Sequence, residues 1–239
     1  PDSDAVGREL LLFRAESAVG RREPNAGRAD AEQSLEASVA AGDEHHEGKA
    51  RRFLGQIAQM SGNLTEARRE LSRSVDIFRE LGDDIELAAS LRERGFSEVF
   101  GGSLADADWL LGEAEALSEQ LNDRRGRAWV RQHQAWVAFL SGDLELAEKR
   151  LLLASGEFSE LGDRSGSNWA TGLLAYIRFF TMHFDEAEAL AHAVRGEGLE
   201  LGERWSPAMM DSLLASIRLW TGNFVEAERL SRRALVEFR

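Results

Sequence analysis

The stretch Gly42-Asp43-Glu44-His45-His46-Glu47-Gly48-Lys49-Ala50 comes nearest to carrying chemistry. A glycine loop closing on a lysine cradles phosphates with backbone N–H groups, and a Ser or Thr after the lysine holds magnesium. Here five residues separate the two glycines instead of four, and Ala50 occupies the magnesium-holding place. A zinc-gripping helix needs a second histidine four residues after a His-Glu pair. After His46-Glu47 that place is again Ala50, and the adjacent His45 and His46 point in different directions on a helix. His133 and His192 stand alone, while His183 replaces a capping residue at a helix joint. With no cysteine, the 239 residues supply no thiolate ligand, disulfide, iron–sulfur ligation or cysteine nucleophile. The Asp and Glu residues read as solvated helix faces, as where Glu66 and Glu70 have Arg69 and Arg73 nearby. No Ser-His-Asp, paired-acid or glycine-rich cofactor arrangement is specific enough to defend. The expectation is a protein that is not an enzyme, with no catalytic residue, cofactor or metal.

Lys+Arg 29 against Asp+Glu 42 gives a formal net charge of −13. That balance argues against direct nucleic-acid binding, which draws its affinity from neutralised phosphates. No run approaches the ~20 apolar residues of a membrane span, and the acidic start Pro1 to Val6 is unlike a signal peptide. A cytoplasmic setting is the default expectation. Lys49 and Lys149 are the only lysines beside many arginines and alanines, a bias expected of a GC-rich bacterial genome. The start at Pro1 and the end inside a helical pattern at Arg239 suggest part of a longer chain.

The elements that position these residues follow from a forty-residue period. Gly62-Asn63-Leu64, Gly102-Ser103-Leu104, Gly142-Asp143-Leu144, Met182-His183-Phe184 and Gly222-Asn223-Phe224 recur at intervals of 40, each followed by an alanine: Ala67, Ala107, Ala147, Ala187 and Ala227. Gly82-Asp83, Gly162-Asp163 and Gly202-Glu203 keep step half a period away. Glycine takes the left-handed place that ends a helix, and the Asn, Ser or Asp after it caps the next one. Glu66 and Glu226, three residues beyond Asn63 and Asn223, match a capping box, with Asp106 a shorter version. Each unit is therefore two antiparallel helices. First helices are expected near 4–20, 44–61, 84–101, 124–141, 164–181 and 204–221, and second helices near 24–41, 64–81, 104–121, 144–161, 184–201 and 224–238. That makes about six units, near 4–41, 44–81, 84–121, 124–161, 164–201 and 204–239, in one repeat domain over 1–239. Small residues at Ala15, Gly55, Gly95, Ala135, Ala175 and Ala215 mark close approach within each pair, and Pro24 and Pro207 fall in first turns.

The pairing of Gly55 with Ala67, Gly95 with Ala107, Ala135 with Ala147, Ala175 with Ala187 and Ala215 with Ala227 resembles tetratricopeptide repeats over the whole chain. The first unit matches less well, with Ala15 and Gly27. The period is longer than usual for the family and is similar to the subclass with a Leu-Gly-Asp joint. The Arg/Ala bias makes it look most like the repeat regions of bacterial LuxR (MalT-like) and SARP-type regulators. The resemblance implies an all-α, right-handed superhelical solenoid of about six antiparallel helix pairs, with first helices lining a concave groove.

Two stripes run along the first helices. One, as in Val130, His133, Val137, Leu140, or Ala170, Leu173, Ile177, Phe180, or Met210, Leu213, Ile217, Trp220, has ordinary core spacing. The other lies one residue earlier and grades from polar to aromatic: Lys49, Arg52, Gln56, then Ala89, Arg92, Phe96, then Trp129, Gln132, Trp136, Phe139, then Trp169, Gly172, Tyr176, Phe179, and finally Met209, Ser212, Ser216. On the resemblance this stripe faces the groove. Arg52, Arg92, Phe96, Trp129, Gln132, Trp136, Phe139, Trp169, Tyr176, Phe179 and Met209 are the candidate groove residues, aromatics as anchors and the polar end for orientation. The alternative is that neighbouring first helices cover the aromatics, which then only tighten the array. The expected function is a non-catalytic scaffold for a protein or peptide partner, as the sensor or docking region of a larger regulator. Rival readings are an apolar small-molecule effector sensor on the same stripe, and self-association as a homodimer through a last helix exposing Leu230, Ala234, Leu235 and Phe238.

Overall fold

A left-handed residue about every twenty positions cuts the chain into helices. The computed structural model describes residues 3–20 and 24–238. Among them twelve helices follow one another: α1 (Ser3–Gly20), α2 (Pro24–Ala41), α3 (Glu44–Met60), α4 (Leu64–Leu81), α5 (Asp84–Gly101), α6 (Leu104–Gln120), α7 (Arg124–Leu140), α8 (Leu144–Glu160), α9 (Arg164–Phe180), α10 (Phe184–Glu200), α11 (Trp205–Trp220) and α12 (Phe224–Glu237). Their ends lie within one residue of the expected ones, and Pro207 sits in the first turn of α11.

The joints work by the expected backbone chemistry, with two changes. Glycines 42, 62, 82, 102, 142, 162, 202 and 222 all have positive φ, as do Asn122 and Met182 in their place. Asn63, Asp83, Asp143, Asp163 and Asn223 accept from the backbone N–H three residues on. Ser103 does not: its hydroxyl donates to Asp106 Oδ2 at 2.6 Å instead. Nor does the Glu66 carboxylate reach back to the main chain as in a capping box; it accepts from Asn63 Nδ2 at 2.9 Å.

The chain divides into two compact units, residues 1–133 and 134–239, with the boundary inside α7. In the first, α1 pairs with α2, α3 with α4 and α5 with α6, and each first helix also meets the next, α1 on α3 and α3 on α5. Close pairing needs the small residues: a Cβ on Gly55 would lie 2.4 Å from Leu71 Cγ and 3.3 Å from Ala67 O. Leu12, Ala15, Ala31, Phe53, Leu54 and Ile57 form one of its core clusters. In the second unit α9 packs on α10 and α11, and α11 on α12, around Ala175, Ala191, Val194, Met210, Leu213 and Ile217.

Acidic residues do more than solvate second-helix surfaces, contrary to the sequence reading. Glu98 on α5 is 1% exposed and receives Arg68 from α4, Nε to Oε1 at 2.9 Å, together with Arg94. Thirty residues separate Arg68 from Glu98, and the same interval joins Glu148 on α8 to Arg178 on α9, and Glu188 on α10 to Arg218 on α11. In the last two pairs both guanidinium nitrogens reach both carboxylate oxygens, with Arg178 Nη1 to Glu148 Oε2 at 3.0 Å. Hydrogen bonds from Arg178 and Arg218 hold the Glu148 and Glu188 carboxyls below their ordinary range against the opposing effect of burial. The polarity is reversed between units: arginine sits on the second helix in Arg68/Glu98, glutamate in the other two. Asp211, also 1% exposed, accepts from Arg195 Nε at 2.8 Å and from Arg233, tying α10 and α12 to α11.

Candidate functional site

The earlier of the two stripes lies on α3, α5, α7, α9 and α11, and it differs in character between the units. In the first unit it is a closed polar and aromatic cluster. Arg52 is buried, and its Nη1 donates to Glu86 Oε2 at 2.5 Å. Arg92 is half-buried and donates through Nη2 to Glu93 Oε1 at 2.9 Å. Burial alone would raise the Glu93 carboxyl. The Arg92 charge, His133 and a hydrogen bond from Gln56 outweigh it and hold the group at about 2. Phe96 stacks on His133 with centroids 3.9 Å apart, Trp129 tilts against the same ring at 5.9 Å, and Gln132 Oε1 lies 2.6 Å from His133 Nδ1. Phe96 and Gln132 are buried and Trp129 half-buried. The two arginines foreseen as orienting a partner are thus already engaged with this chain's own carboxylates.

In the second unit every stripe candidate, Trp136, Phe139, Trp169, Tyr176, Phe179 and Met209, is half-buried. Trp136, Trp169 and Met209 stand around a narrow crevice of about 10 Å³ floored by Gly172 and Leu173. A Cβ on Gly172 would meet only Val194 Cγ1 at 3.6 Å and Met210 Cε at 3.7 Å, ordinary contact distances, so the glycine leaves room that no neighbour fills. Tyr176 spans α9 and α11 by donating its hydroxyl to Met209 O at 3.2 Å, and burial pushes its phenol up to about 12. Rings then run outward without a break: Trp136 to Phe139 at 5.9 Å, Phe139 to Phe180 at 5.5 Å, Phe180 to Phe179 at 5.4 Å and Phe179 to Phe184 at 5.7 Å.

The core stripe needs correction at its last member. Val130, His133, Val137, Leu173, Ile177, Leu213 and Ile217 are buried as expected, but Leu140, Phe180 and Trp220 are 48%, 59% and 65% exposed. Each is the final residue of its helix, and the chain turns away through a left-handed residue two positions later, so no further helical turn covers it. On α12, Leu230 and Ala234 are buried, while Leu235 and Phe238 are exposed, Phe238 with its ring 5.4 Å from that of Trp205.

His46 is held between carboxylates, Nε2 2.9 Å from Glu9 Oε2 and Nδ1 2.8 Å from Asp43 Oδ2, and His45 Nε2 lies 3.3 Å from Asp83 Oδ2. Among the described residues no group of three or more His, Asp or Glu side chains is placed to hold a metal ion, and no helix is long and apolar enough to cross a membrane.

No protein-family model matches the chain, and no curated protein matches it in sequence. Solved structures do match in shape. A Rap protein complexed with Competence and Sporulation Factor is similar at TM-score 0.79 and 12% identity, over 99% of this chain and 76% of that one. The apo form of RapI is similar at TM-score 0.67 and 11% identity, over 96% and 97%. A Signal Transduction ATPase with Numerous Domains from Pyrococcus horikoshii, which has a tetratricopeptide repeat sensor, is similar at TM-score 0.61 and 14% identity, over 97% of this chain and 36% of that one. The fold is that of tetratricopeptide-type helical repeats.

Proposed function

We propose that this chain is a non-catalytic binding scaffold that takes a protein or peptide segment on the first-helix face of its second unit, as the sensor or docking region of a larger regulator. The observation that carries this reading is the crevice between Trp136, Trp169 and Met209, floored by Gly172 and walled by half-buried rings. With a volume of only about 10 Å³ it is far below the roughly 300–1,000 Å³ usual for small-molecule pockets, so it acts as a shallow dimple among half-buried rings against which an apolar side chain of a partner packs. Aromatic walls of this kind supply most of the energy at protein interfaces. Further support comes from the Rap structure complexed with Competence and Sporulation Factor and from the tetratricopeptide sensor of the Pyrococcus horikoshii protein. In the first unit the corresponding arginines are engaged internally, Arg52 by Glu86 and Arg92 by Glu93.

The test fills the crevice without disturbing the core. Gly172→Ala places a Cβ at ordinary contact distances from Val194 and Met210 and also favours the helix, so the melting temperature should hold or rise. Twelve-residue peptides selected from a random phage library on the native chain should share one bulky apolar residue and bind the variant at least tenfold more weakly. Selected peptides that bind both chains equally would refute the assignment.

A further inference from the structure

We propose a second docking surface at the joint edge of the second unit, formed by Leu140, Phe180, Met182, Trp220 and Phe224, whose occupant is an amphipathic segment of a partner protein with an apolar face flanked by Lys and Arg. It is separate from the crevice and does not depend on the reading given to it. Leu140, Phe180 and Trp220 fall forty residues apart at the ends of α7, α9 and α11, so the period places an exposed apolar residue at the end of each of these three helices. Edge-to-face contacts of Phe180 with Phe139 and Phe179 hold this edge in place from α7 to α9. Large contiguous apolar surface is uncommon on a soluble monomer unless something binds it.

Met182 adds an independent observation. The corresponding joints at 62, 102, 142 and 222 place glycine at positive φ, and only here does a large side chain take that conformation, at φ 63 with the side chain 64% exposed. A backbone conformation that L side chains adopt reluctantly, taken here by an exposed Met, points to a use for the side chain rather than to packing.

Charge selects the occupant. The first turns of the helices that follow these joints carry Glu145 on α8, Asp185 and Glu186 on α10, and Glu226 on α12; Glu186 pairs with Arg178 and Glu226 with Arg229, which leaves Glu145 and Asp185 as the rim's uncompensated charges among the described residues. An acidic rim around apolar residues complements a basic amphipathic segment and repels an anionic lipid surface or a second copy of a chain with net charge −13.

The test titrates the full chain with a 17-residue Leu/Lys amphipathic helix, a Leu/Glu counterpart and a Ser/Lys control, at low and at 0.5 M salt. Binding of the Leu/Lys peptide alone, weakened by salt, is expected. Phe180→Ala with Trp220→Ala should weaken it at least tenfold. Met182→Gly should weaken it severalfold while leaving the melting temperature the same or higher, which separates docking from folding. Trp109→Ala, on an exposed tryptophan of α6 in the first unit, should leave it unchanged. Equal binding of Ser/Lys, binding untouched by the edge variants, preferential binding to phosphatidylglycerol vesicles, or a dimer that Phe180→Ala with Trp220→Ala dissolves would each overturn the proposal.

Discussion

The reversed ion pairs make a quantitative test of how the repeats hold one another. In a background of Glu186→Gln, which removes the second carboxylate 2.9 Å from Arg178 Nε, Glu148→Arg should set two guanidiniums against each other between α8 and α9. The side chains of Arg178 and Glu148 are 22% and 31% exposed, so water screens the pair and its worth stays near the upper end of surface pairs, about 1 kcal/mol, despite the double hydrogen bond. Losing that and adding repulsion of similar size predicts a cost of about 1–2 kcal/mol for Glu148→Arg. Combining it with Arg178→Glu should recover at least half, because Arg68 and Glu98 show that the reversed polarity fits between a second helix and the next first helix. Urea unfolding followed by circular dichroism at 222 nm reads the difference, with unchanged slope required for the comparison. In thermal melts 1 kcal/mol corresponds to a shift of roughly 2–4 °C in a chain of this size. A coupling within about 0.4 kcal/mol of zero, the scatter expected of independent sites, would refute the argument.

Two pH dependences follow. Tyr176 is the only tyrosine, so absorbance near 295 nm reports it alone among phenols, with its midpoint expected near 12 in the folded chain and near 10 in denaturant. Because the folded value is the higher one, its contribution to stability is complete below pH 10 and is lost as pH rises from there toward 12; a native midpoint at 10 would show the hydroxyl reaching water freely. Glu93 has the opposite sign: held at about 2 against an ordinary 4.5, it stabilises the fold fully above pH 4.5 and loses that contribution as pH falls toward 2. The span corresponds to about 3 kcal/mol, and Glu93→Gln should flatten the acid limb of the stability curve between those values. An unchanged acid limb would mean that other carboxylates govern it.

The helices were legible in the sequence because their ends are chosen locally. A left-handed glycine followed by a capping side chain specifies a joint without reference to the rest of the chain, so the period located all twelve helices. Burial along the stripes was less legible. Phe180 and Leu173 share a face by helical spacing, yet one is exposed and the other buried, because cover depends on how far the neighbouring helix extends and not on the residue's own periodicity. The acidic residues misled for a related reason: Glu148 and Arg178 lie thirty positions apart, beyond any local pairing rule. A signal was present all the same, since the same interval at Glu188 and Arg218 repeats the pair one period later. For the candidate site, residue types were readable but their commitments were not. Arg52 reads as a free cation in sequence and is spent on Glu86 in the structure.

An array of similar hairpins faces a hazard that a unique fold does not: while the chain is still assembling, a second helix can settle on the wrong first helix. The opposite polarities work as an address against that error. Docking α4 on α9 would bring Arg68 to Arg178, and docking α8 on α5 would bring Glu148 to Glu98, like charges in both cases. Hairpins from different units are therefore turned away during synthesis or refolding. Within the second unit Glu148/Arg178 and Glu188/Arg218 carry the same address, so nothing in these pairs discriminates between α8 and α10 as partners. Exchange of hairpins between two chains, should it occur at high concentration, belongs there.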